Sequence, residues 1–481
     1  MFNKKLLLTP LVLFCLAGCS FKPVTPLKDT SYTSTYDEAN INSFWWKEFN
    51  DPVLDDLIDS ALKYNSDLAL ALNNIETART NLGLSKIEYL PNVNYQGKAS
   101  RGAPSGDLNS YASYSASAVL NYELDLWGKV RNSVKAKNSF FKATKYDYET
   151  ARLSIASNVA NSYFKLLFLK EQESVLRDTL KSYEDTFKFR QNQFSVGAIS
   201  SITLYQAKTQ VDSAKVKLTN VINELSNTNT ALAILTGKSY DDILYKDIIT
   251  DKIHQPIPPE VPNGVPSDLL LRRADVAASL ERLKATNFLV GVARANYFPS
   301  FSLTGVFGYT SMEFDRLFIE NANSWSAGGS LVGPLLDFGR SAKRVEIANL
   351  EQNASFINYD KTLKEAFGEV RNALVNRENA ISKQTDMANL LNSQEKLYNI
   401  ANERFKTGYS DNLELLDAQR GYLSARLEYA ASNLEVSNSV VEVFKALGGG
   451  FKVEDNKTKQ MLESNATIIP TSSINPFKNL K

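Results

Sequence analysis

A single histidine, two cysteines and four methionines are spread over 481 residues. His254 lies between Ile253 and Gln255 in a proline-bearing stretch, a setting for a surface residue rather than a general base. The chain has no Cys/His cluster, no phosphate-cradling glycine loop and no nucleophile elbow, so it offers neither a metal centre nor an acyl- or phosphoryl-transfer site. Four methionines make no soft-ligand ladder for copper or silver. These shortages point to a protein that is not an enzyme and holds no cofactor. Charge of one sign is also missing: 54 Lys+Arg stand against 53 Asp+Glu, so no basic field suits nucleic acid. Beyond residue 20 no uncharged apolar run approaches the ~20 residues of a membrane-spanning helix, so any crossing must use strands.

The N-terminus has the features of a processing segment. Lys4 and Lys5 precede a short apolar run, Leu6 to Ala17, which ends in Leu16-Ala17-Gly18-Cys19. That ending resembles a bacterial lipobox, in which the cysteine is diacylated and becomes the first residue of the mature chain. Cys19 is the expected lipid anchor, and Ser20 behind it resembles the signal for sorting to the outer membrane. Cys15 would leave with the signal segment, so the mature chain has no disulfide and relies on packing.

Internal repetition is the strongest signal. Phe194-Ser195-Val196-Gly197 matches Phe405-Lys406-Thr407-Gly408 at an offset of 211 residues, and Leu204, Ala207 and Ala214 match Leu415, Ala418 and Ala425 at the same offset. Asp125-Leu126-Trp127-Gly128-Lys129 aligns with Asp337-Phe338-Gly339-Arg340, one residue shorter, and Tyr89-Leu90-Pro91 aligns with Tyr297-Phe298-Pro299. The chain therefore reads as two tandem copies, each ordered helix, strand, strand, long helix, turn, helix.

The predicted strands alternate with a period of two. Val93, Tyr95, Gly97 and Ala99 interleave with Asn94, Gln96 and Lys98, and Tyr114, Ala116, Ala118 and Leu120 interleave with Ser113, Ser115 and Ser117. The second copy repeats this with Phe301, Leu303, Phe307 and Tyr309, then Trp325, Ala327 and Leu331, against serines and threonines. One face suits lipid and the other water. Pro91 and Pro299 mark the changes from helix to strand. Between Gly128 and Phe194 neither proline nor glycine interrupts the chain, which allows roughly 100 Å of helix.

The returning helices carry heptad seams, the mark of left-handed coiled-coil packing. In the first copy the seam runs from Leu204 through Ala207, Val211, Ala214 and Leu218 to Leu235; in the second it runs from Leu413 through Leu416, Arg420, Leu423 and Leu427 to Phe444. The second helix has another apolar seam, from Leu415 and Ala418 to Val443, so it is expected to touch neighbours on two sides. Gly197 and Gly408 are expected to stop the long helices at the ends farthest from the strands. Four strands cannot close a barrel in lipid, where bacterial barrels begin at about eight strands and open edges are not tolerated. Closure needs further copies: a dimer has eight strands and a side-chain-filled interior, while a trimer has twelve and a watery lumen.

Several runs carry a resemblance to the outer-membrane efflux factors, the TolC family, and most closely to their lipidated drug- and metal-efflux members. Besides Cys19 these are Trp45-Trp46-Lys47-Glu48-Phe49-Asn50-Asp51-Pro52, Leu271-Arg272-Arg273-Ala274-Asp275-Val276, Asn296-Tyr297-Phe298-Pro299, Leu336-Asp337-Phe338-Gly339-Arg340, and Arg404-Phe405-Lys406-Thr407-Gly408 with Leu416-Asp417-Ala418-Gln419-Arg420. Ala274 stands where the family often has proline.

The resemblance implies a mainly α chain with a transmembrane β-barrel: a homotrimer whose twelve-stranded barrel continues as a twelve-helix periplasmic barrel. The implied organisation is a signal peptide at 1–18, an acylated linker and equatorial segment at 19–50, repeat 1 at 51–237, an equatorial linker at 238–262, repeat 2 at 263–448 and an equatorial tail at 449–481. Trp45 and Trp46 are expected to pack the equatorial belt against the helices. The resemblance further implies a periplasmic adaptor, which would meet the tips at Gly197 and Gly408, and an inner-membrane pump that supplies the energy. Leu413 and Asp417 match residues that form constricting rings at the periplasmic mouth of related ducts. The bland reading makes Asp417 and Arg420 an ordinary surface pair and Leu413 a seam residue. The function expected is an exit duct of a tripartite efflux pump in the outer membrane. Alternatives are a duct for exported proteins and a structural coiled-coil lipoprotein.

Overall fold

A computed structural model of the chain describes residues 43–102, 111–245, 248, 254–261, 273–409 and 412–451. Cys19, the signal segment and most of the 19–50 and 449–481 segments lie outside the described residues, as do Leu271 and Arg272. The described chain falls into two compact units, one holding Asn73–Lys145 with Ala278–Lys361, the other lying within Lys28–Leu72, Tyr146–Ala277 and Thr362–Lys481.

In the first unit, β1 (Asn92–Gly102), β2 (Tyr111–Leu124), β3 (Ser300–Ser311) and β4 (Asn323–Val332) form one antiparallel sheet in chain order. The register aligns the alternation of all four strands. Tyr95 pairs with Ala118, Ala118 with Phe307 and Phe307 with Trp325, an apolar row across the whole sheet. One residue along, Gln96, Ser117, Gly308 and Ser324 make a polar row. Because side chains alternate with a period of two, the other rows mostly follow this division, with exceptions such as the Val119–Val306 pair and Asn323, giving one mainly apolar and one mainly polar face. A one-residue slip at any ladder would mix the faces. β1 and β4 are open edges within the chain.

The Asp-containing landmarks are strand-to-helix corners. Asp125 accepts hydrogen bonds from the backbone N–H of Val130 (3.0 Å) and Arg131 (2.9 Å), satisfying orphan donors of the following helix. Asp337 does the same for Ser341 (2.9 Å). The first copy's extra residue accommodates Trp127, whose Nε1 donates to the Pro299 carbonyl at 2.8 Å while its ring stacks on Phe298 at 4.7 Å.

In the second unit, Trp45–Phe49 form a 3-10 turn, followed by α1 (Pro52–Tyr64) and then α2 (Ser66–Ile87), which passes into the first unit. The opening helix of the first copy is thus two helices rather than one. Asn65 causes the break: its side-chain oxygen accepts from Asp67 and Leu68 N–H, and its Nδ2 donates to Leu235 O at 2.9 Å. Asp51 starts α1 with a side-chain cap to Val53 N–H, and Pro52 occupies the first turn.

The long helices α3 (Lys129–Ser195) and α7 (Arg340–Lys406) have 67 residues each; their returning partners α4 (Ser201–Leu235) and α8 (Asn412–Ala446) have 35 each. Between the copies lies the short α5 (Tyr240–Tyr245), and α6 (Ala274–Ala295) opens the second copy ahead of β3. At 1.5 Å per residue each long helix measures about 100 Å. On α4 the seam from Ala207 to Leu232 is buried or half-buried and the opposite face is exposed. On α8 both seams are covered: Leu416, Leu423 and Val441 on one, Leu415, Ala425 and Val443 on the other. The core of this unit surrounds Trp45, Phe49, Phe164 and Phe444, with Trp45 stacked on Phe444 at 5.4 Å. Arg273, the residue before α6, is buried, ion-paired at 2.7 Å with both Asp275 and Glu369 and hydrogen-bonded to Ala446 O at 3.0 Å. Ala274 opens α6 without proline.

Candidate functional site

The two helical hairpins turn in the same way. At the end of α3, Ala198 N–H bonds to Gln193 O and Gly197 N–H to Phe194 O; at the end of α7, Tyr409 N–H bonds to Arg404 O and Gly408 N–H to Phe405 O. This pair of bonds is a Schellman stop, which puts its penultimate residue in the left-handed region, and Gly197 (φ +73°) and Gly408 (φ +79°) occupy it. Nothing lies within 4 Å of a Cβ added at either glycine, so both turns are open on their outer side. Arg190 joins the two ends. Its guanidinium sits 4.9 Å from the Phe405 ring centre, and Nη1 donates to Gln193 Oε1 at 2.8 Å.

Just past the second turn, Leu413 and Asp417 stand exposed, while Leu415, Leu416 and Ala418 between and beside them are buried. Leu413 is 52% exposed, so it lies outside the covered part of the seam that its spacing placed it in. Its spacing of four from Asp417 puts both on one helix face. Asp417 accepts from Arg420 Nη1 at 3.3 Å, with both side chains more than half exposed, a pair worth only a few tenths of a kcal/mol.

Arg420 does more than face Asp417. With the Gln210 amide turned so that its oxygen faces the guanidinium, that oxygen accepts from Arg420 Nε at 2.9 Å and from Nη2 at 2.5 Å. Gln210 is buried on α4, so this bridge ties α8 to α4 beside the candidate mouth. Tyr183 of α3 faces the same cleft, and burial raises its phenol above the ordinary value. On the other side of α8, Tyr398 and Tyr422 stack with parallel rings at 5.5 Å. The bridge from Arg420 to Gln210 and the stacking of Arg190 on Phe405 were not read from the sequence. A charged residue interrupting an apolar seam was the available signal for Arg420, and a polar residue next to Val211 was the signal for Gln210.

His254 is largely exposed and lies 3.7 Å from Glu171. Burial raises the Glu171 carboxyl above the ordinary range, against the opposing charges of His254 and Arg426. Among the described residues no group of three or more His, Cys, Asp or Glu is placed to hold a metal ion. No described helix is long and apolar enough to cross a membrane.

The chain matches the sequence profile of the family described as outer membrane efflux protein over residues 57–238 and 265–449. It is 29% identical over 477 residues to the toluene efflux pump outer membrane protein TtgC of Pseudomonas putida, covering 95% of this chain and 98% of the relative. It is also 29% identical over 465 residues to the probable outer membrane lipoprotein SilC of Salmonella typhimurium, covering 94% and 100%. Among solved structures, the CmeC outer membrane channel of Campylobacter jejuni superposes with a TM-score of 0.84 at 33% identity, over 94% of this chain and 99% of that one.

Proposed function

The chain belongs to the outer membrane efflux protein family and is the outer-membrane channel component of an efflux system, and we propose that three copies close into one continuous duct for small toxic molecules. The observation that carries this reading is the two-faced sheet with open edges at β1 and β4. In lipid an open edge leaves backbone groups without partners, so β4 of one copy pairs with β1 of the next. Eight strands would enclose packed side chains; twelve enclose water, and the polar rows line it. The outer face of α4, uncovered in one chain, then packs against a second copy.

The rest of the assembly follows from this closure. The helical barrel extends into the periplasm, and Cys19 carries the lipid. The turns at Gly197 and Gly408 receive a periplasmic adaptor, through which an inner-membrane pump delivers cargo. Leu413 and Asp417 narrow the mouth. The duct conducts passively, in keeping with relatives described as outer membrane efflux and channel proteins. Organic solvents, dyes and antibiotics are the cargo class, in keeping with the toluene pump relative.

Native mass spectrometry in mild detergent, followed by planar-bilayer recording, tests the proposal. A three-chain mass with a water-filled conductance is expected; one or two chains, or three chains without conductance, would refute it. Replacing Leu413 and Asp417 together by alanine is expected to raise that conductance, and an unchanged value with intact trimers would assign both residues to packing.

A further inference from the structure

The segment joining β3 to β4 is unlike a solvated outer loop. It runs Met312-Glu313-Phe314-Asp315-Arg316-Leu317-Phe318-Ile319, with two short 3-10 turns, Phe314–Arg316 and Glu320–Ala322. Leu317 and Ala322 are buried and hold the segment together. Its other large apolar side chains point outward: Met312 is 75% exposed, Phe314 71% and Phe318 70%, with Ile319 also exposed. Monomeric loops do not ordinarily present so many apolar groups to water at one place.

The direction of these groups follows from two ring contacts. Phe314 meets Tyr114 edge-on at 5.5 Å, and Phe318 meets Tyr309 at 5.6 Å. Tyr309 pairs with Ala116, and Tyr114 lies two residues before Ala116, so both tyrosines share the face of Tyr95, Phe307 and Trp325. The segment is therefore folded over the apolar face and away from the polar one. It also lies at the strand ends remote from the helices, the ends that face outward in an outer-membrane channel. The equivalent connection of the first copy, residues 103–110, has Leu108 as its one large apolar residue, so this is a property of the second hairpin.

We infer that the β3–β4 connection is a lipid-seated wedge, with Met312, Phe314, Phe318 and Ile319 placed in the outer leaflet at the boundary between headgroups and acyl chains. The occupant is lipid rather than protein because the aromatic surface is continuous with the face that meets lipid in the barrel. This step rests on the barrel reading above. Aromatic and apolar side chains mixed with charges suit that boundary. Glu313 and Arg316 neutralise each other at 2.8 Å, which lets the charged residues stay at the headgroup level while their neighbours enter the apolar region. Three copies would place three wedges around the rim, fixing its depth and tilt.

The test uses the full chain with Cys15→Ser and Cys19→Ser, so that the one introduced thiol can carry an environment-sensitive fluorophore. Phe318→Cys and Met312→Cys report on the wedge; Met312 makes no described ring contact, so it covers the case in which loss of Phe318 disturbs the segment. Ala327→Cys on the apolar face and Ser326→Cys on the polar face report on the barrel itself. In vesicles containing lipids spin-labelled near the headgroup, both wedge probes are expected to lose emission, to resist aqueous iodide, and to respond less to lipids labelled deep in the chain. Quenching by iodide but not by lipid, with Ala327→Cys still lipid-quenched, overturns the wedge and leaves the barrel standing. Shielding from both quenchers means burial against a neighbouring copy and also overturns it. If Ala327→Cys and Ser326→Cys fail to separate, the barrel reading falls and the wedge with it.

Discussion

Replacing Arg420 by serine should open the duct at its periplasmic mouth. Two interactions are lost. The pair with Asp417 is exposed and contributes about 0.3 kcal/mol. The contacts with Gln210 are charge-assisted and reach a buried amide, and such bonds are worth roughly 1.5–3 kcal/mol net. Because half of the guanidinium is exposed, the low end applies, giving about 2 kcal/mol per chain for both terms together. On the premise that the bridge is made only while the mouth is closed, three copies acting together contribute about 6 kcal/mol, close to the ~5.5 kcal/mol that carries a two-state equilibrium from one part in a hundred to its reverse. Arg420→Ser is therefore expected to convert a mostly closed channel into a mostly open one in planar bilayers, and to make cells leaky to large antibiotics. Lys208→Ser is the control, since it breaks an exposed pair with Asp212 inside α4 and leaves the α4–α8 bridge intact. The reasoning fails if Arg420→Ser leaves the open fraction unchanged, or if Lys208→Ser shifts it equally.

Mass spectrometry of the mature N-terminus should find a lipid-modified Cys19, and an unmodified terminus elsewhere would end that assignment. Gly197→Trp with Gly408→Trp should abolish efflux, because each enlarges a turn proposed to meet the adaptor; both positions have positive φ, so assembly is checked first, and normal efflux by assembled trimers would refute the role of the tips. Asp51→Ala removes a helix cap worth about 1 kcal/mol and a charge-assisted bond from the buried Tyr163 hydroxyl, so chemical denaturation should show a loss of about 2–4 kcal/mol, with Asp51→Asn losing less. Burial raises the folded-state pKa of Glu171, so above the ordinary carboxylate value the folded chain holds the proton longer than the unfolded one. Stability should decline as pH rises through that window, and Glu171→Gln should flatten the decline in thermal melts taken across it.

Local chemistry made part of this protein legible before any fold was known. The duplication shows because both copies meet the same local demands: an aspartate and glycine at each strand-to-helix corner, a glycine at each helix stop, a proline before each first strand. The strands show because a sheet with lipid on one face and water on the other imposes a period of two on residues that are neighbours in sequence. The family resemblance was carried by such runs. The split at Asn65 was not legible, because the amide that caps α2 also bonds to Leu235, 170 residues away. Nor was the bond between Asp51 and Tyr163, 112 residues apart, or the pairing of Arg273 with Glu369 and Ala446 O. Heptad spacing showed where seams exist, but only packing decided that both seams of α8 are covered and one of α4, and that Leu413 stands outside its own. Spacing describes one helix, whereas coverage depends on which other helices lie beside it. The register that merges four alternations into two faces, and the folding of Phe314 and Phe318 onto one of them, belong likewise to the tertiary structure, because they join positions that no local pattern connects.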